Sequence, residues 1–176
     1  MVYTKETLKV MIDPGHKRHD DRIPGSRPGD ENINLAIAFY LRYELEKVGI
    51  NNIELTRHSN IYIPLARRVE LTGLYNADMY ISISCDTSYR EKENGHTVWI
   101  GTAVTGDTFV FADSISKYFA RDYPNHKRFG VRHARYQVVE QPRVAVQIEC
   151  KAIRKPEDQV KFAQGIKDAV IRCIKR

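Results

Sequence analysis

The sequence predicts a single α/β domain with a mixed, mostly parallel central sheet and helices on both of its faces. Short apolar segments with strand-like alternation follow one another along the chain, separated by segments with helical spacing of apolar residues. The 176 residues can bury a substantial core, and no repeat or low-complexity linker divides them. We therefore predict one domain over residues 1–176.

The first strand ends at a histidine. Every second residue from Leu8 to Ile12 is aliphatic, and Pro14 and Gly15 then end the alternation, which predicts a strand followed by a loop. His16 lies just beyond this strand end, where α/β proteins bind ligands. The Gly- and Pro-rich loop 17–29 is long for a connection inside a domain, which is typical of functional loops.

The next elements alternate between helix and strand. Apolar residues recur at helical spacing over 31–48, where Asp30 is placed to cap the first turn and Gly49 to end the last. Residues 53–56 are typical of a short strand. A loop over 57–64 and a helix over 65–75 are predicted to follow.

The second half of the chain repeats this alternation. Strands are predicted over 79–85, 97–101 and 143–149, and helices over 109–122 and from Pro156 to about Lys175. The turn Asn94-Gly95 precedes the strand at 97. The basic, aromatic segment 126–136, HKRFGVRHARY, is predicted to be a solvated loop, because lysine and arginine are mostly exposed.

Composition excludes some classes of function. The apolar runs are all shorter than the roughly 18 residues of a membrane helix, so no membrane partner is expected. The chain begins without a recognisable export signal, and we expect cytoplasmic synthesis with release by other means, or a domain excised from a longer protein. The formal net charge of +6 favours a polyanionic partner such as nucleic acid or an anionic cell wall.

Three polar residues are predicted to meet at one edge of the sheet. His16, Ser84 and Glu149 each stand at or just beyond the carboxyl end of a strand, and parallel strands bring such ends together. A carboxylate that closes an apolar strand is costly unless it is exposed, paired or used, so Glu149 is a candidate functional residue. Strand alternation turns Cys85 and Cys150 to the opposite face, as core thiols.

Six segments have an order and spacing that point to one family. They are residues 10–16 (VMIDPGH), 34–38 (NLAIA), 55–57 (LTR), 65 with 68, 77–83 (ADMYISI), and 146–149 (VQIE) followed by 156–158 (PED). Together they resemble the zinc-dependent N-acetylmuramoyl-L-alanine amidases of the amidase-3 type, which hydrolyse peptidoglycan. The likeness extends from Lys9 to the last helix.

The resemblance implies a site and a chemistry. In that family two histidines and a glutamate hold zinc, and a second glutamate moves the proton while the amide between muramic acid and L-alanine is cut. His16 matches the first histidine and Glu149 the catalytic glutamate. Asp30 stands at the glutamate ligand, with Glu31 as the alternative one residue later. Arg68 is implied as a substrate-binding residue.

The sequence departs from the family at the second zinc histidine, where it has Ser84. A serine hydroxyl is a poor zinc ligand beside imidazole, and a catalytic zinc site ordinarily has three protein ligands. The cations Lys17 and Arg18 also follow His16 directly, where they oppose a bound dication. We therefore expect a degenerate zinc site, unless His19, His96 or Asp86 replaces the missing ligand.

Three functions remain open at this point. The first is a pseudo-amidase that binds peptidoglycan, its muropeptides or a protein partner with little or no hydrolysis. The second is an active amidase, such as a phage endolysin or a cell-wall hydrolase, with a substituted zinc ligand. The third is nucleic-acid binding through residues 126–136, which the modest charge and the lack of a recognised motif make the weakest of the three.

Overall fold

The computed structural model describes residues 3–15, 30–86, 95–141, 143–151, 153 and 155–174. Within these residues, six strands form one mixed sheet and four helices flank it, which confirms the predicted fold class. The strands are β1 (Val10–Pro14), β2 (Ile53–Leu55), β3 (Met79–Asp86), β4 (Gly95–Ile100), β5 (Lys127–His133) and β6 (Val144–Lys151). The helices are α1 (Asp30–Glu46), α2 (Leu65–Leu74), α3 (Gly106–Asp122) and α4 (Pro156–Ile174).

The order of the strands in the sheet is β2-β1-β3-β6-β4-β5. The first four strands in this order are mutually parallel, whereas β4 runs antiparallel to β6 and parallel to β5. The carboxyl ends of β1, β3 and β6 therefore lie side by side at one edge of the sheet. This placement is the one that the alternation of elements predicted.

The segment 127–133 corrects one prediction. It was expected to belong to a solvated loop, but it forms β5, the outermost strand, which pairs with β4. Most of its side chains are exposed, as its charge suggests, and its backbone is nevertheless held in the sheet. The ladder shifts register between His96 and Thr97, and Gly130 adopts a φ of 73° opposite this irregularity, a conformation that favours glycine.

The element bounds otherwise differ by only a few residues from those predicted. The largest difference at a helix start is in α3, which begins at Gly106 rather than at 109. Thr105 caps this helix, because its side chain accepts a hydrogen bond from the amide of Thr108. None of the described helices is both long and apolar enough to cross a bilayer.

The two faces of the sheet are covered differently. One face packs against α1, α3 and α4 and carries most of the buried aliphatic and aromatic side chains. Cys85 and Cys150 lie in this core, as predicted, and are 3% and 1% exposed. The other face holds a smaller cluster around Met11 and Tyr80, against which Val69 of α2 packs. We call this second face the open face.

Candidate functional site

The open face brings together two of the predicted site residues at the edge of the sheet. Ser84 on β3 lies directly opposite Glu149 on β6, and Glu149 lies opposite Thr97 on β4. Ser84 and Glu149 are both half-buried, so each is accessible from solvent. The side-chain amide of Gln147 donates to Glu149 Oε1 at 3.2 Å, which orients the carboxylate.

The end of β1 is held tightly against β3. The amide of Gly15 donates to the carbonyl of Ile83 at 2.8 Å. A Cβ atom at position 15 would stand 2.7 Å from that oxygen, so this approach requires glycine. His16 follows Gly15 directly in the chain, and it lies outside the described residues, as do the loop 17–29 and the side chains of Asp30 and Glu31.

Asn34 of α1 ties two of the strand ends together. Its side-chain amide donates to the carbonyl of Gly15 at 3.0 Å, and its Oδ1 accepts from the amide of Cys85 at 2.7 Å. The side chain is buried, so both bonds form away from water. The sequence showed Asn34 only as part of a family segment, and its bridging position required the structure.

A buried carboxylate, that of Asp13, lies on the open face near the carboxyl end of β1. Asp13 has no exposed surface, and it accepts hydrogen bonds from the hydroxyls of Thr56, Tyr80 and Ser82 at 2.5, 2.6 and 2.9 Å. It also pairs with the guanidinium of Arg68 at 3.2 Å. Burial, followed by the charge of Asp13, raises the pKa of Tyr80. We call these five residues the Asp13 network.

Two arginines hold the end of β1 to the neighbouring loops. Arg57 Nε donates to the carbonyl of Pro14 at 2.8 Å, and its Nη2 reaches the carbonyl of Gly15 at 3.2 Å. Arg68 Nε donates to the carbonyl of Ile63 at 2.8 Å, and its side chain is only 5% exposed. The position of Arg68 therefore favours a role in holding the end of β1 over the direct contact with substrate that the family resemblance implied.

His96 does not replace the missing ligand, contrary to one of the expected alternatives. It is 1% exposed and lies opposite Cys150 on β6, on the face that packs against α3. Its ring contacts Phe119 edge-on, with 5.4 Å between centroids. The structure starts β4 at Gly95, and strand alternation then directs His96 away from the face that carries Ser84. His19 and the side chain of Asp86 lie outside the described residues.

The burial of His96 predicts a pH-dependent stability. Burial lowers its pKa from 6.5 to about 4, so folded His96 stays neutral while unfolded His96 takes up a proton below pH 6.5. The unfolded state then binds more protons, and we expect the free energy of unfolding to fall by up to about 3 kcal/mol as the pH drops from about 6.5 towards 4. Urea denaturation at about pH 7, 6 and 5 measures this loss.

The control for this prediction is His96→Phe, which keeps a ring against Phe119 and cannot titrate. Burial lowers the pKa of His126 as well, so a smaller loss in the same direction is expected to remain in the variant. An unchanged pH dependence in His96→Phe would contradict the assignment to His96.

Of the residues predicted to hold zinc, only Ser84 is among the described side chains. It offers a neutral hydroxyl, which is a poor zinc ligand beside imidazole. Within the part of the chain that the structure describes, no three His, Cys, Asp or Glu side chains are arranged to hold a metal ion.

Comparisons with known proteins agree on a family. A model of the N-acetylmuramoyl-L-alanine amidase family matches residues 10–172. AmiC, an amidase of this kind from Escherichia coli O6:H1, is 33% identical over 93 residues, which are 52% of this chain and 22% of AmiC. LytC from Bacillus subtilis is 25% identical over 168 residues, which are 94% of this chain. That match covers 34% of LytC, so the chain spans only a part of either relative.

Solved structures share the fold over nearly the whole chain. The catalytic domain of the amidase CwlV from Paenibacillus polymyxa superposes with a TM-score of 0.81 at 24% identity, covering 96% of this chain and 99% of that domain. The amidase CwlD from Clostridioides difficile, solved in complex with the GerS lipoprotein, has a TM-score of 0.78 at 22% identity, covering 96% of this chain and 99% of CwlD.

Proposed function

The chain belongs to the N-acetylmuramoyl-L-alanine amidase family, and from this membership we propose that it binds bacterial peptidoglycan without hydrolysing it by the family's zinc chemistry. The observation that carries the proposal is the pairing of Ser84 with Glu149. Ser84, which lies opposite the candidate catalytic residue Glu149, carries a hydroxyl at the position where the family resemblance implies a zinc histidine.

The loss of one ligand has a large chemical consequence. Members of the family are generally zinc-dependent, and the metal supplies an activated water and polarises the scissile carbonyl when it is bound. With Ser84 the predicted donors are reduced to His16 and one carboxylate, Asp30 or Glu31. Two protein ligands hold zinc much less tightly than three, so hydrolysis at ordinary zinc concentrations is not expected.

The supports of the sheet edge favour binding. The hydrogen bonds of Gly15, Asn34 and the Asp13 network hold the ends of β1 and β3 in place. Glu149 lies beside these strand ends on the open face and is accessible to a ligand. A half-buried carboxylate can accept hydrogen bonds from sugar hydroxyls or from the amides of a peptide stem. The net charge of +6 also attracts an anionic polymer.

The alternative is an active amidase with a substituted ligand, and the orientation of Glu149 by Gln147 is the observation that favours it. Two further expectations accompany the main proposal. We propose release to the cell wall, where peptidoglycan lies. We also propose that a protein partner can regulate the domain, which the complex of CwlD with GerS supports by analogy.

The test combines a metal measurement with a binding measurement. The protein is purified without chelator, its zinc content is determined by elemental analysis, and it is incubated with purified peptidoglycan. We expect saturable co-sedimentation, zinc well below one equivalent, and no release of peptide stems. Glu149→Gln should weaken the co-sedimentation.

Two results would contradict the proposal. Stoichiometric zinc that disappears in His16→Ala, together with stem release that Glu149→Gln abolishes, would establish the active amidase. A complete lack of binding to peptidoglycan and to its soluble fragments would remove the binding function as well.

A further inference from the structure

The open face continues beyond Glu149 as an aromatic and cationic surface on β4, β5 and the segment that follows β5. Four residues form it, and we call them the aromatic surface: Trp99, Phe129, Arg132 and Tyr136. Phe129 and Tyr136 are both 41% exposed, and Arg132 is also exposed. The proposed function does not account for these residues.

The four side chains form two contacting pairs. The rings of Trp99 and Tyr136 meet edge-on with 5.5 Å between centroids, and the guanidinium carbon of Arg132 lies 5.5 Å from the ring centre of Phe129. The Phe129 ring rests against the backbone of β4 at Gly95, where a Cβ atom would come within 2.4 Å of a ring carbon. The lack of a side chain at Gly95 therefore leaves room for the Phe129 ring on the open face.

The register of the sheet joins the aromatic surface to the site. Trp99 lies opposite Gln147 on one side and opposite Arg132 on the other, while Thr97 lies opposite Glu149. Neighbouring strands are about 4.8 Å apart. The aromatic surface therefore begins on β4, the strand next to Glu149, and extends to β5, the second strand from it. A single extended ligand can contact both.

We propose that the aromatic surface binds a pyranose chain that carries carboxylates on its sugars. The faces of aromatic rings are partly negative and bind the partly positive C–H groups of a pyranose face. A guanidinium beside the rings pairs with a carboxylate through two parallel hydrogen bonds. The combination of flat rings with a cation thus selects a sugar that is itself an anion.

The family's reaction creates such a sugar. Hydrolysis of the muramoyl–alanine amide adds water across the C–N bond, so that the muramic acid keeps a carboxylate and the peptide leaves with a free amine. Glycan from which the stems have been removed therefore carries carboxylates on the sugars, whereas intact peptidoglycan carries them on the peptides. This inference rests on the proposed function and specifies its ligand as stem-free glycan.

Tryptophan fluorescence can be used to follow ligand binding to the aromatic surface. Trp99 is the only tryptophan of the 176 residues, so its fluorescence reports on the aromatic surface alone. The protein is titrated with soluble stem-free glycan strands, made by treating peptidoglycan with an active amidase and a glycan-cleaving enzyme, and with matched strands that keep their stems. We expect a saturable fluorescence change and tighter binding of the stem-free strands.

Two variants and a matched control make the test specific. Arg132→Gln and Phe129→Ala should each weaken binding of stem-free strands by about tenfold, the loss expected for one charged hydrogen bond or one stacked ring. Arg121→Gln is the control, because Arg121 stacks over Tyr118 on α3 in a similar way, at 4.9 Å, and lies on the opposite side of the sheet. The control should bind like the parent protein.

The outcomes separate this inference from the proposed function. Equal affinity for both kinds of strand, or full binding by Arg132→Gln and Phe129→Ala, would overturn the inference while leaving peptidoglycan binding through Glu149 intact. Tighter binding of a single-stranded oligonucleotide that depends on the same residues would also overturn it. A lack of binding to every peptidoglycan fragment would instead reject the proposed function.

Discussion

Asp13→Asn should lower the free energy of unfolding by about 3–5 kcal/mol, the largest loss that we expect from a single polar substitution in this chain. The carboxylate has no exposed surface, and three hydroxyls and Arg68 donate to it. Asparagine keeps the size but removes the charge, so the guanidinium of Arg68 is left buried beside a neutral amide. The amide nitrogen also places a donor where Asp13 has an acceptor, so a hydroxyl must turn to accept from it, and Arg68 cannot accept at all.

Urea denaturation measures this loss, and Asp113→Asn is its control. Asp113 pairs with Lys117 at 2.6 Å on the surface of α3, and exposed pairs of this kind contribute about 0–1 kcal/mol. If the charge of Arg68 causes the loss, adding Arg68→Met to Asp13→Asn should cost less than the sum of the two single changes. A loss below about 1 kcal/mol in Asp13→Asn would contradict the buried network as we describe it.

The Asp13 network also has a functional consequence, because Asp13 lies three residues before His16. Thr56, Tyr80 and Ser82 belong to the segment after β2 and to β3, so the network fixes the end of β1 against both of its neighbours. We expect Asp13→Asn to weaken ligand binding even at temperatures at which the variant remains folded.

The sequence was sufficient for the placement of Ser84 and Glu149. Both lie in long alternating strands, and parallel pairing of such strands has few possible registers once the apolar face is buried. The same alternation correctly directed Cys85 and Cys150 to the opposite face. Local patterns thus predicted the fold and two of the residues at the candidate site.

Other features depend on contacts between residues far apart in the chain, and local patterns could not reveal them. The segment that forms β5 carries mostly exposed side chains, so its strand conformation comes from pairing with β4 rather than from a buried apolar face. β4 starts two residues earlier than predicted, so His96 belongs to the strand and is held on the face that packs against α3. The bridge made by Asn34 joins residues 19 and 51 positions away.

Ser84→His combined with Asp30→Glu should raise the affinity for zinc by at least about 100-fold, above the roughly 10–100-fold that changes around metal ligands typically cause. The double change restores the imidazole and the longer carboxylate that the family resemblance implies. Ser84 is half-buried at the sheet edge, so an imidazole has room on the solvent side. Titration calorimetry against a competing chelator measures the affinity.

Lys117→His controls for the mere addition of a histidine, because Lys117 is exposed on α3, across the sheet from Ser84. Circular dichroism and the urea midpoint verify that each variant is folded. If the folded double variant binds zinc no better than this control, Ser84 does not occupy the metal position, and the missing histidine does not explain a loss of hydrolysis.

If the double variant gains zinc affinity, an assay of its hydrolysis distinguishes a change confined to the metal ligands from wider changes around the metal. If the double variant then releases peptide stems from peptidoglycan and the parent protein does not, the changes at Ser84 and Asp30 account for the difference, and Glu149 is placed for proton transfer. If the variant holds zinc firmly but releases nothing, the surroundings of the metal have changed too. The cations Lys17 and Arg18 would then be the next residues to replace, because they lie beside His16 in the chain and add positive charge next to the zinc ion.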